Sequence, residues 1–419
     1  MKPLQSKFEV SVTSEIGELQ GVILHAPGPE IENMTPANAE RALYSDVLNL
    51  SVATQEYNQL RQVLEKTTNA FQVKDLLEEV LNNSKVKSNL IEKICLNEGA
   101  PDLEDDLLEM PNKILSTCLL EGMLMKKDNL SKFLSNERYA LKPLHNFFFT
   151  RDLSVVINDW VLISRMASKV RSREAMIMEA IFDYHPMFSV KTFDMDEIEA
   201  AHIEGGDVLV AREDILLIGC GVRTNPIAID NLLEHFKSLK KPQHIIVQQL
   251  PSEPESFIHL DMVFTILDQD ICMVYDPVIL QPNRYKTVLI SIDNGNVIID
   301  EETNILTALA KLGMTMRPII CGGATDQWIQ EREQWHSGAN FFALAPGKII
   351  GYRRNISTIE ALDQAGFSIV DAYDVIDNKV DLKRYGKCVI TIDGSELARG
   401  GGGCRCMTMP ISRKSPDAS

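Results

Sequence analysis

The feature that most constrains the fold is a recurring segment pattern: an apolar strand-like run, a polar turn and then an amphipathic helix. The strand-like runs cover residues 161–165, 215–219 and 348–352, and helices are predicted over 173–184, 227–239 and 358–365. Residues 21–25 begin a fourth candidate unit. Similar units that begin and end around one chain can close into a ring with functional residues at its centre. The pattern therefore predicts an α/β fold built from repeats.

Residues 71–140 interrupt this pattern. They are rich in Leu, Lys, Glu and Asn, and they contain successive amphipathic stretches with breaks at Gly99-Ala100-Pro101 and Met110-Pro111. Apolar residues at spacings of three and four, bounded by glycine and proline, are typical of helices. We expect an all-helical subdomain over 71–140, inserted into a catalytic domain formed by 1–70 and 141–419.

Charge and hydropathy narrow the choice of partners. The formal net charge of −17 argues against a nucleic-acid partner and favours the approach of a cationic substrate. Neither a signal peptide nor a run of about 18 apolar residues is present, so we expect a cytoplasmic protein without a membrane partner. The eight cysteines are sparse and mostly lie in apolar runs, which favours reduced, buried thiols.

A run of four glycines, Gly400 to Gly403, precedes Cys404 and Cys406. Consecutive glycines are costly in a helix or strand, and they suit a turn or a close approach of the backbone to a ligand. A thiol directly after such a turn is predicted to be a presented nucleophile. In an extended segment both sulfurs would face the same way, and Cys404 would then make the protein sensitive to oxidation.

Three further polar clusters stand out, at residues 146–152, 202–207 and 257–264. In the last, His259 and Asp261 are two residues apart in an apolar run, so a strand would point both to one face. The same argument places His202 and Glu204 together. A histidine beside a carboxylate is costly to bury without partners, and the pair is typical of acid/base chemistry next to a cation.

Two chemistries fit these residues. Metal-dependent hydrolysis would draw ligands from the pairs His202/Glu204, His259/Asp261 and Cys404/Cys406, although none has the spacing of a known zinc signature such as H-E-x-x-H. Thiol catalysis would use Cys406 as the nucleophile, His259 as the proton shuttle and carboxylates to hold a cationic carbon.

Taken together, the clusters resemble the arginine deiminase family of the guanidino-group-modifying (pentein) superfamily. The shared order of the motifs, which covers nearly the whole chain, carries the resemblance rather than any single one. The motifs are Ser14-Glu15-Ile16-Gly17, Leu24-His25-Ala26-Pro27-Gly28, Phe149-Thr150-Arg151-Asp152, Ile203-Glu204-Gly205-Gly206-Asp207, His259-Leu260-Asp261, Arg332-Glu333-Gln334-Trp335, Gly338-Ala339-Asn340 and Cys406-Met407-Thr408-Met409-Pro410.

The resemblance implies a five-bladed α/β propeller of ββαβ-type repeats with the site on its axis. It implies hydrolysis of L-arginine to L-citrulline and ammonia, without a cofactor or a metal, in a homo-oligomer. Related alternatives are hydrolysis of agmatine or a methylated arginine, and a catalytically silent arginine-binding protein.

The resemblance also assigns roles to residues. Cys406 would attack the guanidinium carbon, His259 would shuttle protons with Glu204 orienting it, and Asp152 and Asp261 would hold the guanidinium by paired hydrogen bonds. Asn146, Arg171 and Arg223 would bind the substrate carboxylate. Either Arg399 or Arg405 would also contact the substrate or the thiolate, and the resemblance does not choose between them.

Overall fold

The computed structural model describes residues 7–35, 46–193, 195, 200–239 and 241–416. They form a mixed α/β fold, as predicted. The strands are β1 Leu19–Leu24, β2 Asn69–Gln72, β3 Met123–Leu124, β4 Tyr139–Leu141, β5 Ser154–Ile157, β6 Trp160–Ile163, β7 Lys191–Phe193, β8 Val208–Arg212, β9 Ile215–Cys220, β10 Gln243–Gln249, β11 Phe264–Asp268, β12 Ile271–Val274, β13 Thr287–Asp293, β14 Asn296–Glu302, β15 Arg317–Ile320, β16 Phe342–Ala345, β17 Lys348–Tyr352, β18 Ser368–Asp371, β19 Cys388–Ile392 and β20 Met409–Arg413.

The α-helices include those predicted over 173–184, 227–239 and 358–365, each of which begins one or two residues earlier than predicted. They are α1 Pro29–Glu32, α2 Leu50–Thr67, α3 Val73–Val80, α4 Ser84–Glu98, α5 Glu104–Glu109, α6 Asn112–Glu121, α7 Leu130–Leu134, α8 Ser172–Tyr184, α9 Pro226–Ser238, α10 Asp276–Ile279, α11 Ile305–Lys311, α12 Gln327–Trp335, α13 Ile356–Gln364 and α14 Ala372–Ile376. Within the described ranges no helix is long and apolar enough to cross a membrane.

Five sheets of three or more strands share one connection pattern across the part of the chain that the structure describes. Each contains an antiparallel pair whose second strand is joined in parallel to a third strand. The antiparallel pairs are β20/β1, β5/β6, β8/β9, β11/β12 and β16/β17, and the parallel pairs are β1/β2, β6/β7, β9/β10, β12/β15 and β17/β19. The first sheet unites the beginning and the end of the described chain, because β20 pairs with β1.

The predicted repeat units correspond to these sheets. The strand-like runs at 161–165, 215–219 and 348–352 lie at β6, β9 and β17, and each is followed by its helix, α8, α9 or α13. Strand β9 shows why the runs are continuously apolar: Leu216 and Ile218 face one core cluster, while Ile215 and Leu217 face another. A strand buried on both faces has no polar face to alternate with.

The 71–140 segment is mostly helical, but the expectation of an all-helical segment was wrong. Strands β3 and β4 form a two-stranded antiparallel sheet, and β2 crosses the expected boundary at residue 70 because it pairs with β1. The helices of the segment also share a core with α8, in which Leu77 and Ile91 belong to the same cluster as Ile181. The division of the chain into two domains stays a prediction.

Short turns before the first antiparallel strand of each sheet carry the polar residues of interest. Asp152 precedes β5, Asp207 precedes β8, Asp261 precedes β11, Asn340 precedes β16 and Cys406 precedes β20, each within three residues of the strand. All five side chains are buried. Equivalent turns of five sheets thus deliver five polar residues to the interior.

Candidate active site

At two positions of the glycine run that precedes Cys406, a side chain could not fit. A Cβ at Gly402 would lie 2.4 Å from the Phe149 ring, and one at Gly403 would lie 2.6 Å from Asn340 Oδ1. Gly401 has φ +83°, a conformation that glycine adopts without strain. The predicted close approach of the glycine backbone is therefore present, and its partners are the side chains of Phe149 and Asn340.

The backbone around Cys406 forms a turn, not the extended segment expected at 404–406. Met407 N donates to Gly403 O at 3.3 Å, and Cys406 O accepts from Arg151 N at 3.1 Å. The turn sends the two thiols in different directions. Cys406 lines a cavity of about 130 Å³, whereas Cys404 is fully buried and does not line it. This geometry removes the basis for expecting oxidation sensitivity at Cys404.

His259 and Asp261 are brought to the same site, but not by a strand. His259 is extended (φ −136°, ψ 157°), residues Leu260–Met262 form a turn of 3-10 helix, and β11 begins only at Phe264. The expected alternation of side chains on a strand was wrong, because Leu260 N is bonded to the side chain of Asp207 rather than to a neighbouring strand.

Ionisable side chains contact one another throughout the site. His259 Nε2 donates to Glu204 Oε2 at 2.9 Å, and its Nδ1 faces Asp152 Oδ1 at 3.5 Å. Gly206 lies against the imidazole, where a Cβ would come within 2.5 Å of Nδ1. The Cys406 Sγ lies 3.7 Å from Asp261 Oδ2 and 3.9 Å from Oδ1. The thiol, the imidazole and three carboxylates therefore occupy one buried centre.

Burial and neighbouring charges shift the pKa values of His259, Glu204 and Cys406. Burial opposes the imidazolium, but the negative charges of Asp152, Glu204 and Asp207 outweigh it and raise the pKa of His259 to about 9. Burial also opposes the charged form of Glu204, yet the bond to His259 lowers its pKa to about 2. Burial, with the charges of Asp261 and Asp152, raises the pKa of Cys406 well above that of a free thiol. At neutral pH the centre thus holds a protonated imidazole beside a protonated thiol.

Both carboxylates beside Cys406 are already paired with a protein guanidinium. Arg171 Nη1 bonds to Asp152 Oδ2 at 2.6 Å, and its Nε bonds to Glu174 at 2.9 Å. Arg405 Nη1 bonds to Asp261 Oδ2 at 2.8 Å. Asp152 and Arg171 line the cavity together, and Asp261 lies against the Cys406 thiol, so a further planar cation in the cavity is the complementary ligand for these carboxylates.

The resemblance named Arg405 as one of two candidate contacts of the substrate or the thiolate, and it gave Glu15 and Glu174 no role. Arg405 is buried and also binds Glu15 through Nε at 3.0 Å, so it stands behind Asp261 and does not line the cavity. Burial raises the pKa of Glu174 to about 7 despite its pair with Arg171. Glu15 lies in a motif quoted for the family resemblance, which was the available signal, but no role was attached to it.

The residues predicted to bind the substrate carboxylate, Asn146, Arg171 and Arg223, line the cavity. So does Arg399, one of the two arginines expected to contact the substrate or the thiolate. Arg223 is about one-sixth exposed, and its Nη1 lies 3.8 Å from Glu204 Oε1. Arg171 is engaged by Asp152, as described above. The charge of Arg399 is already paired with protein carboxylates, because its Nε and Nη2 bond to Asp46 Oδ2 and its Nη1 bonds to Glu396. Arg223 and Asn146 are thus the best placed of the four.

A metal ion has one possible position among the described residues. Ligand atoms of Asp152, Glu204 and His259 lie within 4.8 Å of one another. The three pairs considered for metal hydrolysis do not meet as sets, since the His202 ring donates to Arg223 O and Cys404 lies off the cavity.

Comparison with known proteins places this geometry in a family. The family model described as "Arginine deiminase" matches residues 40–413. The arginine deiminase of Bacillus cereus (strain B4264) is 32% identical over 430 residues, covering 97% of this chain and 99% of that protein. The arginine deiminase of Oenococcus oeni (strain ATCC BAA-331 / PSU-1) is 31% identical, covering 98% and 99%.

Solved structures agree in fold at low identity. The N-terminal domain of ArgZ bound to product, described as an arginine dihydrolase from cyanobacteria, matches with a TM-score of 0.52 at 14% identity, covering 94% of this chain and 97% of that one. SxtG, an amidinotransferase from Microseira wollei, matches with a TM-score of 0.55 at 14% identity, covering 97% and 98%. The family match spans most of the chain, and the relatives align along nearly their whole length, so this chain belongs to the arginine deiminase family.

Proposed function

We propose that the protein hydrolyses the guanidino group of L-arginine to L-citrulline and ammonia through a covalent bond to Cys406. The observation that carries the proposal is that the Cys406 thiol lines a buried cavity with Asp152 and with His259, whose pKa is raised, and lies 3.7 Å from Asp261 Oδ2. The names of the similar proteins supply the substrate and reaction.

The two aspartates orient the substrate. A guanidinium is planar and permanently charged, and a carboxylate can accept two of its N–H bonds in one plane. With Asp152 and Asp261 on different sides, the carbon is held facing the Cys406 sulfur. The added positive charge also favours the thiolate, which offsets the effect of the two carboxylates on the Cys406 pKa, so the thiol releases its proton to solvent when the substrate binds.

His259 then transfers a proton in each of the two halves of the reaction. The thiolate adds to the guanidinium carbon, and protonated His259 donates its proton to the departing nitrogen, so ammonia leaves and a thiouronium remains on Cys406. Neutral His259 next takes a proton from water, and the resulting hydroxide adds to the same carbon. The carbon–sulfur bond then breaks to release the thiolate, and the hydroxyl proton of the intermediate passes to solvent as the carbonyl of citrulline forms. Glu204 stabilises the imidazolium throughout by its bond to Nε2, so we assign proton transfer to the opposite nitrogen, Nδ1.

The far end of arginine carries a carboxylate. Arg223 and Asn146 line the same cavity and are the partners we assign to it, and Arg171 joins them if its bond to Asp152 gives way to the substrate.

The ring expected from the repeats also enters as a proposal. We infer that the five sheets of like connectivity are the five blades of an α/β propeller, with the site on the axis. The delivery of Asp152, Asp207, Asp261, Asn340 and Cys406 by equivalent turns supports this arrangement. A homo-oligomer and a cytoplasmic location remain predictions.

Product analysis tests the proposal. Purified protein should release citrulline and equimolar ammonia from arginine, with little or no turnover of agmatine or methylated arginine. Cys406→Ser should abolish turnover while retaining arginine binding by calorimetry, because the oxygen is a much weaker nucleophile but the carboxylates remain. Turnover that survives in Cys406→Ser and disappears with a chelator would instead establish metal-dependent hydrolysis.

A further inference from the structure

Asn340 belongs to the five equivalent turns, but neither the mechanism nor the family resemblance assigns it a role. It lies two residues before β16 and is 2% exposed. Its amide is fully engaged, and each of its bonds reaches a turn that carries a reacting group. The motif Gly338-Ala339-Asn340 was one of those that pointed to the family, yet it remained without a function.

The amide connects the nucleophile to one of the two carboxylates. Asn340 Oδ1 accepts from Arg405 N at 2.9 Å and from Cys406 N at 3.2 Å. Asn340 Nδ2 donates to Asp261 O at 3.1 Å. One rigid side chain therefore spans the Cys406 turn and the Asp261 turn, which belong to different sheets.

The opposite side of the Cys406 peptide is held in a comparable way. Its carbonyl accepts from Arg151 N at 3.1 Å, and Arg151 is the neighbour of Asp152. The nucleophile is thus tied to both carboxylate-bearing turns by its own backbone. The Asn340 bridge fixes the 3.7 Å separation between Cys406 Sγ and Asp261 Oδ2, because both groups hang from backbone that the amide holds.

We propose that Asn340 is a positioning residue, which aligns the Cys406 sulfur with the guanidinium that Asp261 holds. The proposal rests on the proposed function. Loss of the amide leaves Asp152 and the carboxylate partners on the cavity wall and Asp261 beside the thiol, so it should not weaken the binding of arginine. It should slow the attack, since a displacement of about 1 Å between reacting groups can cost about 100-fold in rate.

Steady-state kinetics give the first test. Asn340→Ala should lower kcat about 100-fold with KM for arginine changed less than about 3-fold, the pattern of an interaction that aids the transition state more than substrate binding. Asn355→Ala is the matched control, because Asn355 is equally buried and its side chain bonds to His336 O at 3.1 Å, away from the turns. A raised KM with unchanged kcat would make Asn340 a substrate-binding residue and overturn the proposal.

Labelling of Cys406 without turnover gives the second test. 2-Chloroacetamidine is a planar cation that the two carboxylates can hold, whereas iodoacetamide is neutral and needs only an accessible thiol. The ratio of their alkylation rates at Cys406, read by peptide mass spectrometry, should fall at least about 10-fold in Asn340→Ala and stay at the wild-type value in Asn355→Ala. An unchanged ratio in Asn340→Ala would refute the positioning role.

Two further variants guard against a folding defect. Asn340→Asp keeps the acceptor for the two backbone amides but, when ionised, lacks the donor to Asp261. Gly403→Ala displaces Asn340 from the other side, since its Cβ would lie 2.6 Å from Oδ1. Both should lower kcat and the labelling ratio while keeping native circular dichroism, and wild-type values in both would contradict the proposal. If wild-type protein fails to hydrolyse arginine but the ratio still falls, the function is wrong and the positioning role stands.

Discussion

Glu204→Gln isolates the charge that supports the proton shuttle. Glu204 Oε2 accepts from His259 Nε2 at 2.9 Å, and both side chains are fully buried. The glutamine retains an acceptor oxygen of the same shape and removes only the negative charge. The pKa of His259, about 9 in the intact site, must then fall, because one of the charges that outweigh burial is gone.

The size of the change follows from the contact. A hydrogen bond to a charged group contributes about 1.5–3 kcal/mol, and one pKa unit corresponds to about 1.4 kcal/mol. The His259 pKa should therefore fall by about one to two units, to about 7–8. Because the imidazolium protonates the departing nitrogen, the pH dependence of the activity contains this ionisation.

The pH dependence of kcat/KM is the assay, since it reports the ionisation of the free enzyme. The lower of the two ionisations in the profile, that of His259, should move from about pH 9 towards neutrality in Glu204→Gln. Glu302→Gln is the control, because Glu302 is also buried and paired, with Lys311 at 2.6 Å, but it lies on β14. A uniform loss of activity with this ionisation unmoved would refute the assigned link between Glu204 and the His259 proton.

Two other predictions concern His259 and the ion pair between Arg399 and Asp46. The raised pKa of His259, against an ordinary value of 6.5, should stabilise the fold by up to about 3 kcal/mol below pH 6.5, and this contribution is lost as the pH rises through about 9. Urea unfolding at pH 7 and pH 10 should show a smaller fall in stability for His259→Gln, and an equal fall would contradict it. Arg399→Ala and Asp46→Ala should change KM for arginine equally, because they break one ion pair, whose Nη2–Oδ2 distance is 2.5 Å. A selective rise in KM for Arg399→Ala would instead show that Arg399 contacts the substrate.

Much of the fold follows from local patterns in the sequence. The units around β6, β9 and β17 were predicted because a doubly buried strand and an amphipathic helix each leave a clear periodicity. The small sheet β3–β4 was not predicted, since strands of two and three residues have too few positions to show alternation.

The site is harder to predict because its bonds join distant turns. The approach to Cys406 could be anticipated from glycines that only a tight turn explains. The convergence of His259 and Asp261 was expected on a strand, whereas the chain uses a turn of 3-10 helix, which spacing alone does not distinguish. The bonds of Asn340 and Arg405 depend on which turns become neighbours, and no local pattern encodes that.

The pairing of β20 with β1 has a consequence for the synthesis and folding of the enzyme. Met409 lies opposite Ile23, and Cys406 stands just ahead of the strand that this register fixes. A growing polypeptide that still lacks β20 has no nucleophile in place, whatever the state of its other four sheets. Synthesis must therefore reach the last strand, and that strand must find the first, before the newly made molecule can consume any arginine.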